Sequence, residues 1–285
     1  MFRSLGPGAI GIRASIVEGL ELAKAADFQG LCIGIGAISK LVEENSADYV
    51  KGLFKDAGLK IGAWGLPVNW RGGESEFKES LEPLHASAKI AQALGCTRSS
   101  TYILPASEDK PFKENFDFHV QRFRPIGEIL NEYGCQLGLE FIGPKTSRTG
   151  KKYEFIYTME GMLELCDAIG TGNVGLLLDA WHWYTAHGTL DDLKKLTVDQ
   201  VVHVHINDAP KDVPVDEQID NIRRLPGETG VIDLVGFLKC LDEIGYEGPV
   251  MPEPFSDKVK GLPPLDAAKL TAKGLLRVWK EAGLS

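Results

Sequence analysis

Short apolar, β-branched runs alternate with amphipathic stretches along the whole chain. The runs predict strands at Phe2–Leu5, Gly30–Ile35, Lys60–Leu66 and Thr97–Leu104, then at Gln136–Ile142, Val174–Asp179, Val201–Ile206 and Gly248–Glu253. Between them the pattern predicts helices at Ser15–Ala26, Ser39–Ala57, Glu76–Leu94 and Phe116–Tyr133. Four more are predicted at Met159–Ile169, Leu190–Lys195, Asp233–Ile244 and Asp266–Ala282. The first helix shows the basis: Ile16, Leu20, Ala23 and Ala26 recur at three- and four-residue steps and so share one face. Val174-Gly175-Leu176-Leu177-Leu178 is a continuous apolar run, as a parallel strand covered on both faces requires.

Strict alternation implies parallel strands joined by crossover helices. Eight such units in 285 residues match a single (β/α)₈ TIM barrel, an α/β architecture. No Pro/Ser/Gly linker divides the chain, so residues 1–285 read as one domain. The competing doubly wound sheet carries a glycine-rich turn after its first strand; Gly6-Pro7-Gly8 lacks the third glycine. Hydrophobic residues make up 44% and charged residues 25%, which excludes wholesale disorder, collagen and coiled coil. The net charge of −9 lacks the positive field that draws phosphate backbones, so no nucleic-acid partner is expected. No apolar run approaches the ~20 residues of a membrane helix, and the N-terminus lacks a signal-peptide pattern. Five cysteines without a Cys-x-x-Cys pair read as reduced thiols, so a cytoplasmic protein is expected.

In such barrels the chemistry lies at the C-terminal ends of the strands. Strand five ends in Glu140, strand six in Asp179, strand seven in His205 and strand eight in Glu253. Three carboxylates converging in an apolar mouth repel one another, and a divalent cation cancels that repulsion. Three oxygen ligands and one imidazole favour Mn²⁺, with Mg²⁺, Co²⁺ or Zn²⁺ as alternatives. The competing reading pairs each carboxylate with a cation; Lys145, Arg148 and Arg223 are the nearby candidates. His203 shares a strand face with His205 but lies one step deeper, where a core or ligand-supporting role fits better.

These segments resemble the xylose-isomerase-like barrel superfamily of sugar isomerases and epimerases. The resemblance rests on Gly138-Leu139-Glu140-Phe141-Ile142-Gly143, on Asp179-Ala180-Trp181-His182-Trp183 and on His203-Val204-His205-Ile206-Asn207-Asp208. It continues through Arg223-Arg224-Leu225-Pro226-Gly227 and covers the second half of the chain. Within the superfamily the pattern is most similar to the 2-keto-myo-inositol (inosose) isomerases. It implies metal ligation by Glu140, Asp179, His205 and Glu253, and substrate contacts from His182 and Arg223. Ketose 3-epimerases carry a further glutamate where this chain has Thr146, so the resemblance to them is looser.

The implied activity is isomerisation or epimerisation of a polyhydroxy ketone, an inosose or a ketose with or without phosphate, through an enediolate. Glu140 and Glu253 would act as base and acid as well as ligands. The alternative roles are an orienting loop histidine for His182 and a surface arginine for Arg223. Sugar faces pack on flat rings, so Trp64 and Trp181 are candidate pocket walls, with Trp70 and Trp183 beside them. The polar segment 210–222 reads either as a lid or as a surface insertion. Dehydration of a keto-inositol or keto-sugar is the alternative reaction. An apurinic-endonuclease-type phosphodiesterase fits less well, because His85 and His119 fall within helices. A non-catalytic sugar-binding protein also stays open, as does a homo-oligomer.

Overall fold

The computed structural model describes all residues, Met1–Ser285. Eight strands run β1 Phe2–Leu5, β2 Gly30–Ile33, β3 Lys60–Gly65, β4 Arg98–Ile103, β5 Gln136–Phe141, β6 Val174–Asp179, β7 Val201–Ile206 and β8 Pro249–Pro252. They are all parallel and close into a barrel in sequence order, β8 pairing with β1. Outside it lie α1 Ile16–Ala25, α2 Ile35–Glu44, α3 Ala47–Ala57, α4 Glu74–Leu94 and α5 Phe112–Glu132. The ring continues with α6 Met159–Ile169, α7 Ala180–Thr185, α8 Leu190–Leu193, α9 Leu234–Glu243 and α10 Pro264–Glu281. The expected single TIM barrel is therefore the fold. No helix is long and apolar enough to cross a membrane.

Local chemistry explains the boundaries. Ser15 caps α1 with a reciprocal Glu18 bond, the Ser15 N–H donating to Glu18 Oε2 at 2.8 Å. The helix predicted over Ser39–Ala57 is two helices. Asn45 leaves helical geometry and Ser46 caps α3 by accepting from the Tyr49 N–H at 3.0 Å. Strand two stops at Ile33 rather than Ile35, because Gly34 starts α2 there. A short helix also escapes the pattern: Asp179 ends β6 and at once caps α7, accepting from the Trp181 N–H at 2.7 Å.

The register brings the polar strand ends level. Asp179 pairs with His205, and His205 with Met251, two residues before Glu253. Glu140 pairs with Tyr102 on β4 and sits one residue before the end of β5. Hydrogen bonding between neighbouring parallel strands thus carries all four predicted ligand positions to one rim.

Gly143, two residues past β5, is where backbones meet most tightly at this rim. A Cβ there would sit 2.2 Å from the His182 carbonyl oxygen and 2.6 Å from Thr185 Oγ1. Gly143→Ala is therefore expected to cost about 2–4 kcal/mol by forcing α7 away from the barrel. Thermal denaturation checks this, and an unchanged melting temperature would refute the close packing.

Candidate active site

Glu140, Asp179, His205 and Glu253 each turn a donor atom to one point, and these atoms lie within 4.8 Å of one another. His205 Nδ1 is 3.4 Å from Glu140 Oε1, 3.5 Å from Glu253 Oε2 and 4.0 Å from Asp179 Oδ2. Donors bound to one cation at ~2.0–2.2 Å stand at about these separations. Glu140 Oε1 and His205 Nδ1 are buried and make no hydrogen bond, although they are near enough to attract. Buried polar atoms left unpaired and aimed at a common point fit a cation held between them. The residues present therefore suit a divalent metal ion; nothing in the geometry selects which one.

Of the three candidate cations, only Arg223 reaches the cluster. Lys145 pairs with Asp216 at 3.0 Å, and Arg148 donates to the Gly143 carbonyl at 2.8 Å. Arg223 Nη1 donates to Asp179 Oδ2 at 2.8 Å and to Glu253 Oε2 at 3.1 Å. One guanidinium cannot balance three carboxylates, and Glu140 has no basic partner except His205. Without a metal ion, charge balance in the cluster therefore depends on protons held by His205 and Glu140.

The titration behaviour follows. Burial pushes the Glu140 carboxyl up to about 7, despite the pull of His205. Burial also pushes Glu253 up, but the charges of His205 and Arg223 outweigh it and hold Glu253 below its usual range. Burial opposes protonation of His205, yet Glu253 and Glu140 raise it well above an ordinary histidine. Without metal, Glu140 and His205 thus hold protons that a cation must displace. The raised Glu140 value means its contribution to folding is fully present below its ordinary value of 4.5 and is lost as pH rises through about 7. Cation binding has the opposite slope. Mn²⁺ affinity should fall about tenfold or more per pH unit on going from about pH 7 to about pH 5. Calorimetric titrations across that range check the slope, and a flat profile would exclude Glu140 as a ligand.

His182 lies in α7 rather than in a loop and is fully buried. Burial lowers its pKa to about 3, so the ring is neutral. Its Nδ1 accepts the Gly143 N–H at 3.2 Å, which leaves the proton on Nε2. Nε2 stands 3.8 Å from Asp220 Oδ1 and 4.0 Å from Glu140 Oε1, so His182 presents one N–H donor to the site. The nearby Arg223 Nη2, at 3.2 Å, is also a donor and cannot satisfy that proton. His203 lies deeper, with Nδ1 3.4 Å from Ser100 Oγ and Nε2 3.9 Å from the Cys32 thiol.

A cavity of about 650 Å³ opens onto His205 and Glu253. Ile12, Trp64, Met251 and Phe255 supply apolar wall, while Ser100 and Arg13 are polar. Trp64 lies on this wall, with its indole N–H tied to the Cys96 carbonyl at 2.9 Å. Trp181 is wholly buried and lies beneath Arg223, 5.5 Å from the guanidinium. Trp70 packs against His119 and Phe123, and Trp183 against Phe237. Phe255 lines the cavity with a backbone φ of 39°, in the region that favours glycine, and packs 4.7 Å from Arg223. A larger surface cavity, about 760 Å³, lies against α10 away from the cluster. The cluster therefore opens onto the smaller of these two hollows.

Three residues not singled out from the sequence complete the site. Asn207 is fully buried and donates to Asp179 Oδ1 at 3.1 Å, fixing that carboxylate. Asp208 is fully buried and accepts four backbone N–H groups, from Ala209, Thr229, Gly230 and Ile232. Its own backbone pairs with Arg224. Asp220 accepts from Arg223 Nη2 at 2.8 Å. Asn207 and Asp208 were findable, since they directly follow a ligand-bearing strand end. Asp220 had no local signal.

A closed parallel barrel with a buried carboxylate–imidazole cluster at its strand C-termini defines the class: a (β/α)₈ protein with a metal-site-like centre. Residues 20–280 match the xylose isomerase-like TIM barrel family, and the chain belongs to that family. An inosose isomerase of Halalkalibacterium halodurans is 28% identical over 266 residues, covering 91% of this chain and 89% of that protein. A xylose isomerase domain protein of Alicyclobacillus acidocaldarius superposes with a TM-score of 0.88, at 29% identity and 99% coverage of both chains. A crystal structure of IOLI protein with a bound zinc atom superposes with a TM-score of 0.79, at 22% identity and 99% coverage of both chains. The relatives by sequence include both isomerases and dehydratases.

Proposed function

We propose that this protein is a divalent-metal-dependent isomerase or epimerase of a polyhydroxy ketone, an inosose or a ketose. The observation that carries the proposal is the four-residue cluster, with Glu140 Oε1 and His205 Nδ1 buried and unpaired. Glu140, Asp179, His205 and Glu253 would hold the ion. A bound divalent cation supplies Lewis-acid stabilisation for the oxyanion that develops when a proton leaves the carbon beside a ketone. The likeness to an inosose isomerase and to a zinc-bound barrel supports this reading.

The chain's own residues account for the rest. Glu253, held low by His205 and Arg223, is ionised at neutral pH and so is free to accept a proton. Glu140, on β5 while Glu253 follows β8, is the second carboxylate of the cluster available to return the proton. His182 donates its Nε2 proton to a substrate oxygen, with its tautomer set by Gly143. The Trp64 face packs against C–H groups of the ligand.

The test is solvent exchange. The Mn²⁺-loaded protein is incubated with 2-keto-myo-inositol in D₂O and followed by NMR. Deuterium entry beside the ketone, with a new keto-inositol isomer, is the expected result. Appearance of an enone absorbance instead would assign a dehydratase, which the dehydratases among the relatives make the second reading. Neither change with keto-inositols or ketohexoses would remove the proposal.

A further inference from the structure

Arg223 poses a difficulty for any cation at this site. Its Nη1 already donates to Asp179 and Glu253, two of the four candidate ligands. A metal ion entering among them would face a full positive charge within a few ångströms, in a region where water screens poorly. A second carboxylate on the far edge of the guanidinium relieves this. Asp220 supplies it, taking Nη2 on Oδ1 at 2.8 Å and Nε on its backbone carbonyl at 3.0 Å.

The position of Asp220 is built. The 210–222 segment is tied to neighbouring loops at Asp216 and Gln218 and braced within itself by the Gln218 amide. Asp216 bridges Lys145 at 3.0 Å and His187 at 2.8 Å. Thr146 Oγ1 donates to the Gln218 carbonyl at 2.7 Å. Gln218 is fully buried, and its amide donates to the Val213 carbonyl at 2.9 Å. The segment that read as lid or insertion is therefore a strapped-down strut ending at the cluster. Thr146, where related epimerases have a glutamate, serves here as an anchor for that strut.

We propose that Asp220 is a positioning residue of the metal centre: it holds and neutralises Arg223, so that the guanidinium braces Asp179 and Glu253 without excluding the cation. The proposal rests on the metal reading given above. Arg223 and Asp220 together carry no net charge, which leaves the three ligand carboxylates free to balance the ion. Without the Asp220 charge, Arg223 becomes a competitor for the same oxygens.

Mn²⁺ binding by calorimetry and electron paramagnetic resonance tests this without any assay of turnover. Asp220→Asn keeps the shape and removes only the charge, and it should weaken Mn²⁺ binding about tenfold or more. Adding Arg223→Gln to that variant should recover affinity at least about threefold over Asp220→Asn alone, because the competitor is gone, while staying below wild type, because the brace on Asp179 and Glu253 is lost with it. A merely structural role for Asp220 would not be rescued by losing its partner. An Asp220→Asn affinity within about threefold of wild type overturns the proposal, as does a double variant no tighter than the single one. Should the double variant fail to fold, Asp220→Glu returns the charge: recovery supports the proposal, and affinity as weak as that of Asp220→Asn overturns it. Absence of Mn²⁺ binding by the wild type would overturn the metal centre itself, a result distinct from failure of the variant pattern.

Discussion

Glu140→Gln is expected to lose Mn²⁺ affinity by at least about a hundredfold and to abolish metal-induced stabilisation. Of the three candidate carboxylate ligands, Glu140 is the one that Arg223 does not engage. Asp179 is shared with Arg223, Asn207 and the α7 N-terminus, and Glu253 is shared with Arg223. Glutamine keeps the volume and one carbonyl oxygen but removes a charge from a fully enclosed position. For the wild type, saturating Mn²⁺ at ~100 times its dissociation constant should add about 2.7 kcal/mol, or roughly 5 °C in melting temperature for a chain this size. In the variant that increment should disappear, while the metal-free melting temperature stays level or rises. The rise is expected because burial disfavours the Glu140 charge, and glutamine removes that cost. Equal metal-induced shifts in both proteins would show that the ion, if bound, sits elsewhere.

Asp208→Ala should destabilise by about 3–5 kcal/mol, the largest effect of any single change away from the cluster. The carboxylate accepts four backbone N–H groups at 2.7 to 3.1 Å, two of them buried and two partly buried. Three of them belong to residues 229–232, the far end of the loop that carries Arg223. Truncation strands two buried donors, those of Ala209 and Ile232, and leaves two partly buried ones without their acceptor. Asparagine does little better, because its amide turns two hydrogens toward N–H groups that need a lone pair. Because Asp208 lies two residues past the end of β7, which bears His205, the damage should spread to the candidate metal centre. A melting temperature lower by roughly 6–15 °C, with weakened Mn²⁺ binding, is the expected result. A shift under about 2 °C would show that the four bonds are worth little.

Much of this protein was legible one element at a time. Eight short runs marked the eight strands, some continuously apolar, as Val174–Asp179 is up to its last residue, and others largely polar, as Arg98–Ile103 is. The barrel followed from their alternation with helices. The four cluster residues were legible because each is the polar residue that interrupts such a run at its C-terminal end. Helix ends were less clear. Asn45-Ser46 broke one predicted helix because a serine cap competes with helix continuation, which hydrophobic period alone does not report. The α7 helix was hidden because Asp179 serves two elements at once, as strand end and as cap.

Charge balance was the part that sequence reading treated least well. Lys145, Arg148 and Arg223 were equivalent on paper, yet the first two turn to Asp216 and Gly143, and only the third enters the cluster. Trp181 could have stood on a cavity wall, but packing put it beneath Arg223 instead.

By itself the sequence determined the barrel, the order of its strands and which polar residues stand at its rim, because those depend on periodicity and local hydrogen bonding. Only the tertiary structure decided which cation meets which carboxylate, that the 210–222 segment is a strut, and that Asp220 and Asn207 belong to the site. Those pairings join residues far apart in the chain, Lys145 and Asp216 by 71 positions and Thr146 and Gln218 by 72. Contacts of that kind exist only after the chain has closed on itself, when burial sets the cost of every unpaired charge.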